Sequence, residues 1–129
     1  MDMRKVDGDA RPLFYSFRLY LNSNGARVLG KGGALILEAI DKRGSIALAA
    51  EELKMSYRFV WNSIQRTEDR LGKPVVVTRR GGTPNSRRKG GGSTKLTPVG
   101  RALLRDYRIM EERLQSQIRP RSRSLAHTQ

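Results

Sequence analysis

The sequence predicts a mainly α-helical domain with a small β component, and three observations support this fold class. Apolar residues recur every three or four positions in four stretches between residues 32 and 118, which is the period of an α-helix. Two short β-type stretches flank a glycine-rich segment, as in a β-hairpin. A length of 129 residues fits one domain with one core. We therefore expect one folded domain over residues 13–118, between disordered segments at 1–12 and 119–129.

The first predicted element is an N-terminal β-hairpin. Alternate positions of residues 13–21 place leucine and aromatic side chains on one face, which is typical of a half-buried strand. Asn24-Gly25 is a turn signal, and residues 27–29 can return as a short second strand. The predicted apolar face of the first strand consists of Leu13, Tyr15, Phe17, Leu19 and Leu21.

Three helices with their own start and stop signals are predicted next. The first covers residues 32–43 and ends at Gly44, and Ser45 can cap a short second helix that ends at Leu53. After a turn at Lys54-Met55, Ser56 can cap a third helix that ends at Gly72. The inner faces are predicted to be Leu35, Ile36, Ala39 and Ile40 in the first helix, Ile46, Ala49, Ala50 and Leu53 in the second, and Phe59, Val60, Ile64, Thr67 and Leu71 in the third.

A second hairpin and a long helix complete the predicted domain. Residues 74–78 and 94–97 can pair as antiparallel strands around a long glycine-rich tip. Thr97-Pro98 then places a capping hydroxyl before a proline at the first helical position. The last helix extends to Ile118, and its apolar stripe indicates a partner surface: Val99, Leu103, Tyr107, Met110 and Leu114.

This order of elements is that of a winged helix-turn-helix with an N-terminal β-hairpin and a long C-terminal dimerisation helix. In such a domain the second helix of the pair enters the major groove of DNA, which is about as wide as one α-helix. The third predicted helix, residues 56–72, is therefore the candidate recognition helix. Its outward side chains are candidates for contacts with bases or phosphates: Tyr57, Arg58, Trp61, Asn62, Gln65 and Arg66. Ser45 and Ser56 are candidate phosphate contacts at helix starts.

The charge of the chain points to a polyanion as partner. The net charge is +14, and residues 79–129 carry thirteen basic and three acidic side chains. Six cations and no carboxylate occur in residues 79–95, where repulsion is relieved when phosphates neutralise the cations and counterions are released. Residues 79–95 include the tip of the second hairpin, which is the wing of the domain. We expect the wing to contact the DNA backbone or the minor groove through Arg79, Arg80, Arg87, Arg88 and Lys89.

Each of these assignments has a structural alternative that the sequence leaves open. Tyr57 and Trp61 are four residues apart and could instead pack on the second helix or on the wing. Ser56 can act only as a helix cap or combine that role with phosphate binding. The basic wing could be a solvated run of charge that maintains solubility.

The sequence argues against several other classes of protein. Cysteine is absent, which excludes disulfides, thiolate metal sites and cysteine nucleophiles. The longest apolar stretch is far shorter than the roughly 18 residues of a membrane span, and the acidic N-terminus does not resemble a signal peptide, so we expect a cytoplasmic protein without membrane contact, associated with the nucleoid when bound to DNA.

Catalytic chemistry and cofactors are not expected either. Residues 25–32 nearly match the phosphate-binding loop motif, but Gly32 replaces the serine or threonine that binds magnesium in that motif. The single histidine, His127, lies in the basic tail, and the pairs Glu51-Glu52 and Glu68-Asp69 diverge on helices, where they are typical of solvated faces. We expect a protein that is not an enzyme and that takes no cofactor or metal.

Several motifs together resemble the DNA-binding domain of the molybdate-responsive ModE regulators and, more distantly, LysR-type regulators. These motifs are Leu37-Glu-Ala-Ile-Asp41, Gly44-Ser-Ile46, Met55-Ser-Tyr-Arg58 with Trp61, Gly81-Gly82, Gly90-Gly-Gly92 and Leu96-Thr-Pro-Val-Gly100. The resemblance extends over residues 30–110, which is most of the chain that we expect to be ordered. It implies a dimeric transcription regulator that binds palindromic operators, with Tyr57, Arg58 and Asn62 at positions of the recognition helix that face DNA.

Two departures from the ModE pattern limit what the resemblance implies. Molybdate binds a separate C-terminal domain in ModE, and this chain ends about where that domain would start, so the resemblance does not carry molybdate sensing over to this chain, and no small-molecule effector is evident from the sequence. Residues 83–89 form an inserted, more basic part of the wing. We therefore expect a homodimeric, sequence-specific regulator of transcription that binds double-stranded DNA; a non-specific architectural DNA-binding protein is the alternative.

Overall fold

A computed structural model of the chain describes residues 11–79 and 92–119, together with the backbone of residues 123 and 124. Its elements follow the order β1 (Pro12–Leu13), β2 (Leu21–Ser23), β3 (Ala26–Leu29), α1 (Lys31–Arg43), α2 (Ile46–Leu53), α3 (Tyr57–Leu71), β4 (Val76–Arg79), β5 (Ser93–Leu96), α4 (Pro98–Ile118) and β6 (Arg123–Ser124). The helix pair α2–α3 followed by the antiparallel pair β4–β5 confirms the predicted winged helix-turn-helix. No helix in the described part of the chain is long and apolar enough to cross a membrane.

The chain divides into two compact units. One unit spans Leu19–Arg108 and contains the helix-turn-helix, the wing strands and the first half of α4. The other joins Met1–Arg18 to Ile109–Gln129. In this second unit Pro12 pairs with Ser124 and Leu13 with Arg123. Disorder was expected for Pro12, Arg123 and Ser124, but these three residues form backbone pairs. The two short extended segments satisfy each other's hydrogen-bonding groups.

The N-terminal hairpin exists, but the long first strand predicted over residues 13–21 is wrong. Asn24 and Gly25 adopt positive φ values of 51° and 74°, as a two-residue hairpin turn requires, and join β2 to β3. Residues 14–20 are not in a strand, and Phe14 is 75% exposed. The four-residue strand β3 pairs with residues 21–23, so among the described residues none extends this ladder to residues 14–20.

The three helices of the core end where predicted, and α2 and α3 also begin at their predicted caps, whereas α1 begins at Lys31, one residue before the predicted start. Gly44 ends α1 in the left-handed region at φ 78°, and its N–H donates to the carbonyl of Ile40. The hydroxyls of Ser45 and Ser56 accept from the backbone N–H groups of Leu48 and Phe59, each at 3.0 Å, as N-caps do. The buried core lies between the three helices, β3 and α4, and includes Leu29, Ile36, Leu37, Ile40, Ala49, Val60, Ile64, Val75 and Tyr107.

The long helix α4 has the predicted bounds and packs on the core through its first half. Tyr107 is buried, and its hydroxyl donates to the carbonyl of Leu19 at 3.0 Å. Arg101 forms an ion pair with Asp41 at 3.0 Å, and Arg108 forms one with Glu38 at 2.9 Å, so α4 also contacts the outer face of α1. Met110, predicted on the inner stripe, is exposed instead.

Candidate nucleic-acid interface

The turn between α2 and α3 sets the position of the candidate recognition helix. Lys54 adopts φ 57°, and its N–H donates to the carbonyls of Ala50 and Glu51. The N–H of Met55 also donates to the carbonyl of Ala50, at 2.9 Å, while its side chain packs against the core. Only three residues separate the two helices, so α3 starts in a defined direction at Ser56.

The first ten residues of α3 present an exposed polar face. Arg58, Asn62 and Arg66 are exposed, and Gln65 is half-buried. At about 100° per residue, Arg58, Asn62 and Gln65 fall within one stripe along the helix. Arginine, asparagine and glutamine are the side chains that pair bidentately with guanine or adenine in the major groove. The structure therefore brings the predicted polar reading residues together on one accessible surface.

Tyr57 and Trp61 lie on one edge of this polar stripe. Tyr57 is 50% exposed and Trp61 is 45% exposed, so much of each ring is open to solvent. The two residues are one helical turn apart, and their rings offer flat apolar surface beside the polar stripe. Both remain accessible for contact with DNA, as the functional interpretation requires.

Phe59 corrects the predicted inner face of α3. Phe59 was predicted to face the core because phenylalanine is apolar. In the structure it is 52% exposed, whereas Val60, Ile64 and Thr67 are buried. Phe59 is about 100° from Val60 around the helix axis, on the edge of the polar stripe that also carries Arg66. Helical geometry alone could have assigned Phe59 to this edge, because only the positions close to the direction of Val60 face the core.

The two serine caps have a confirmed structural role, and their hydroxyl groups keep further bonding capacity. Each hydroxyl accepts one hydrogen bond from its own helix and still has a proton to donate. Ser56 is exposed and Ser45 is half-exposed at the surface. Both are accessible at the helix starts, where backbone N–H groups favour an anion.

The wing is attached to α3, the candidate recognition helix, through a glutamate. The carboxylate of Glu68 accepts from the backbone N–H of Val75 at 2.7 Å and of Val76 at 3.3 Å. The prediction that Glu68 belongs to a solvated face is therefore wrong, because the chain turns back after Gly72 and brings two unpaired amides to this carboxylate. Gly72 ends α3 with φ 80°.

The other side of the wing is tied to α1 and α4. The N–H of Thr94 donates to the carbonyl of Gly44 at 2.8 Å, and the N–H of Thr97 donates to the carbonyl of Val75 at 2.9 Å. The Thr97 hydroxyl accepts from the N–H of Gly100 at 3.0 Å, which confirms the cap predicted for α4. These bonds hold the base of the wing to the helical core.

Of the five cationic residues predicted to contact DNA from the wing, the structure describes one, Arg79. Arg79, at the end of β4, is exposed. The other predicted wing contacts lie outside the described residues: Arg80, Arg87, Arg88 and Lys89.

Ion pairs of one carboxylate join α1 to α2. Glu52 forms ion pairs with Arg43 at 3.2 Å and Lys42 at 3.3 Å. The hydrogen bond from Arg43, with help from Lys42, holds the pKa of Glu52 below its ordinary value of 4.5. In the described part of the chain, no group of three or more histidine, cysteine or acidic side chains could hold a metal ion.

Comparisons with known proteins agree with this geometry. The family model of the bacterial regulatory helix-turn-helix proteins, lysR family, matches residues 34–101, from α1 into the start of α4. The molybdenum-pterin-binding protein MopB of Rhodobacter capsulatus is 37% identical over 91 residues, which are 70% of this chain and 31% of MopB. The molybdenum transport protein ModE of Azotobacter vinelandii is 35% identical over 99 residues, which are 77% of this chain and 34% of ModE.

This chain thus spans about a third of the length of these curated relatives. Among solved structures, a crystal structure of a CbnR_DBD–DNA complex has a TM-score of 0.49 and 24% sequence identity, and the match covers 67% of this chain and 86% of that chain.

Proposed function

Because the chain belongs to the lysR family of bacterial regulatory helix-turn-helix proteins, we propose that it binds double-stranded DNA in a sequence-specific manner and regulates transcription. It acts as a binding protein and not as an enzyme, in the cytoplasm and on the nucleoid. One observation carries this proposal: the first half of α3 exposes Arg58 and Asn62 on one stripe, while the opposite side of the helix is buried in the core. A rigid helix with such a face fits the major groove, where those side chains distinguish bases.

The wing supplies the second part of the mechanism. Arg79 and the basic residues after it contact the DNA backbone or the minor groove, and their charge increases affinity without reading sequence. Glu68 supports a mechanism in which α3 reads bases and the wing contacts the backbone, because it fixes the start of the wing to the end of α3. The register of the recognition helix on DNA then depends on both elements.

The protein acts as a homodimer, and α4 is its main dimerisation element. Ile109 and Met110 on this helix are exposed apolar side chains, as are Leu13, Phe14 and Tyr15 in the N-terminal segment. Exposed apolar side chains of this kind are stabilised when a partner removes them from water. A two-fold dimer places two recognition helices on half-sites about one turn of DNA, or a multiple, apart.

DNA binding by this chain needs no small-molecule effector in the proposed mechanism. All base contacts come from α3, whose position is fixed by core packing and by hydrogen bonds to the backbone. Addition of molybdate to the DNA-binding reaction is therefore expected to leave the affinity unchanged.

Selection of bound duplexes from a random DNA pool, followed by footprinting, tests the function. We expect one enriched sequence with two-fold symmetry, protected over two half-sites. Random-sequence competitor DNA should displace the protein from this site only at a large excess. Equal displacement by random DNA would instead establish the non-specific architectural function, which the net charge of +14 also favours.

A further inference from the structure

The polar stripe of α3 has an apolar residue on its second edge. Phe59 is the third residue of α3, and its backbone N–H is bonded to the Ser56 cap, so its place in the first helical turn is fixed. It lies opposite the edge formed by Tyr57 and Trp61, with Arg58 and Asn62 between the two edges. The candidate reading surface is therefore bordered by aromatic side chains on both sides.

Phe59 is not among the buried residues of the core. It is 52% exposed, while the core side of α3 is already filled by Val60 and Ile64. Its neighbours on the helix surface, three and seven residues further on, are Asn62 and Arg66, which are both exposed. In the free protein, part of the apolar surface of this ring is in contact with water. Covering that surface with an apolar group of a partner lowers the free energy.

We infer that Phe59 contacts the 5-methyl group of a thymine in the major groove and thereby acts as a specificity-determining residue. This inference rests on the proposed function. The N-terminal residues of a recognition helix contact base edges. A phenyl ring has no hydrogen-bond donor or acceptor of the kind that reads the other base edges, and the thymine methyl is the apolar group that standard bases present in the major groove. Asn62, one turn along the same surface, is placed to pair with a neighbouring adenine.

Uracil scanning of the bound DNA tests the contact directly. The probe is the duplex that the full chain selects from a random pool, with each thymine replaced in turn by deoxyuridine, which lacks only the methyl group. For the unchanged protein we expect one thymine in each half-site whose replacement weakens binding about fourfold, the effect of uncovering one methylene-sized group. If no thymine is sensitive to loss of its methyl group, the inference is overturned.

Variants of Phe59 assign the effect to this residue. Phe59→Ala should bind the thymine duplex about fourfold more weakly and should no longer distinguish thymine from uracil at the sensitive position. Phe59→Leu keeps an apolar side chain and should retain the distinction. Arg58→Ala is the matched control within the same turn: it changes another contact and should keep the full sensitivity to the methyl group.

The results separate this inference from the proposed function. If selection enriches no sequence, sequence-specific binding itself is wrong. If a sequence is enriched but Phe59→Ala retains the thymine preference, the recognition function stands and the role of Phe59 is rejected. A drop in affinity of Phe59→Ala for all duplexes alike, with unchanged discrimination, likewise rejects it.

Discussion

Glu68, in the last turn of α3, accepts a 2.7 Å hydrogen bond from the backbone N–H of Val75, the buried residue just before strand β4. A side chain of α3 thus holds the point from which the wing begins. The two elements proposed to contact DNA are connected by one charged group as well as by the chain itself.

Replacement of Glu68 is expected to destabilise the domain. Glu68→Ala leaves the N–H groups of Val75 and Val76 without their charged acceptor, and hydrogen bonds to charged groups contribute about 1.5–3 kcal/mol. Urea denaturation measures the free energy of unfolding. Asp69→Ala is the control, because it removes an exposed carboxylate from the next position and should change stability by less than about 0.5 kcal/mol. Equal losses in the two variants would show that the bond to Val75 is unimportant.

The packing of α4 on the wing predicts a severe effect at Gly100. A Cβ atom at this position would overlap the carbonyl oxygen of Val75, so Gly100→Ala forces α4 away from the backbone before β4. Such overpacking typically costs about 1–3 kcal/mol. Gly32→Ala in α1 is the matched control: its Cβ meets nothing within 4 Å, and alanine should stabilise the helix by up to about 1 kcal/mol. Thermal unfolding of the two variants should therefore shift in opposite directions.

If α3 reads bases and the wing contacts phosphates, substitutions in the two elements should cause different DNA-binding defects. Arg58→Ala removes a candidate base contact and should reduce discrimination between the selected site and random DNA by about 1–3 kcal/mol. Affinities for both kinds of DNA, measured by fluorescence anisotropy, give this difference. If Arg58→Ala weakens binding to all sequences equally, α3 is not the element that reads bases.

The matched comparison is a wing variant in which Arg87, Arg88 and Lys89 are replaced by glutamine. This variant should bind every duplex more weakly and should keep the ratio between specific and random DNA, because phosphate contacts carry no sequence information. The dependence of its affinity on salt concentration should become less steep, since fewer counterions are released.

The ion pairs of Glu52 predict a pH-dependent contribution to stability. The pKa of Glu52 is lower in the folded state, so its contribution is present above the ordinary carboxyl pKa of 4.5 and is lost as the pH falls through the folded-state pKa. Glu52→Gln should therefore be less stable than the unchanged protein at pH 7 and should match it at strongly acid pH. Urea denaturation across this range measures the difference, and high salt should reduce it because the pair is accessible to solvent.

Glu51→Gln, at the preceding position of α2, is the control for the removal of one negative charge. In the described part of the chain Glu51 forms no ion pair within 4 Å, whereas Glu52 pairs with Lys42 and Arg43, so replacement of Glu51 should lack the Glu52 effect. A Glu52→Gln difference that is constant from neutral to acid pH would contradict a role for the ionised carboxylate.

The sequence alone determined most of the helical architecture. Ser45 and Ser56 cap α2 and α3 and Gly44 and Gly72 end α1 and α3, as their residue types predicted. These signals act through hydrogen bonds and backbone angles within a few residues, so they can be recognised without the rest of the fold. The polar stripe around Arg58 follows from the same helical period, and the structure finds it on the surface as predicted.

Only the tertiary structure decided which local patterns acquire partners. Residues 14–20 alternate like a strand, yet they form none, because β3 is too short to pair with them. Phe59 is apolar but points outside the core, and Glu68 is charged but binds the backbone before the wing. Burial and long-range hydrogen bonding depend on what the folded chain brings next to a residue, and this neighbourhood is set by segments that lie far apart in the sequence.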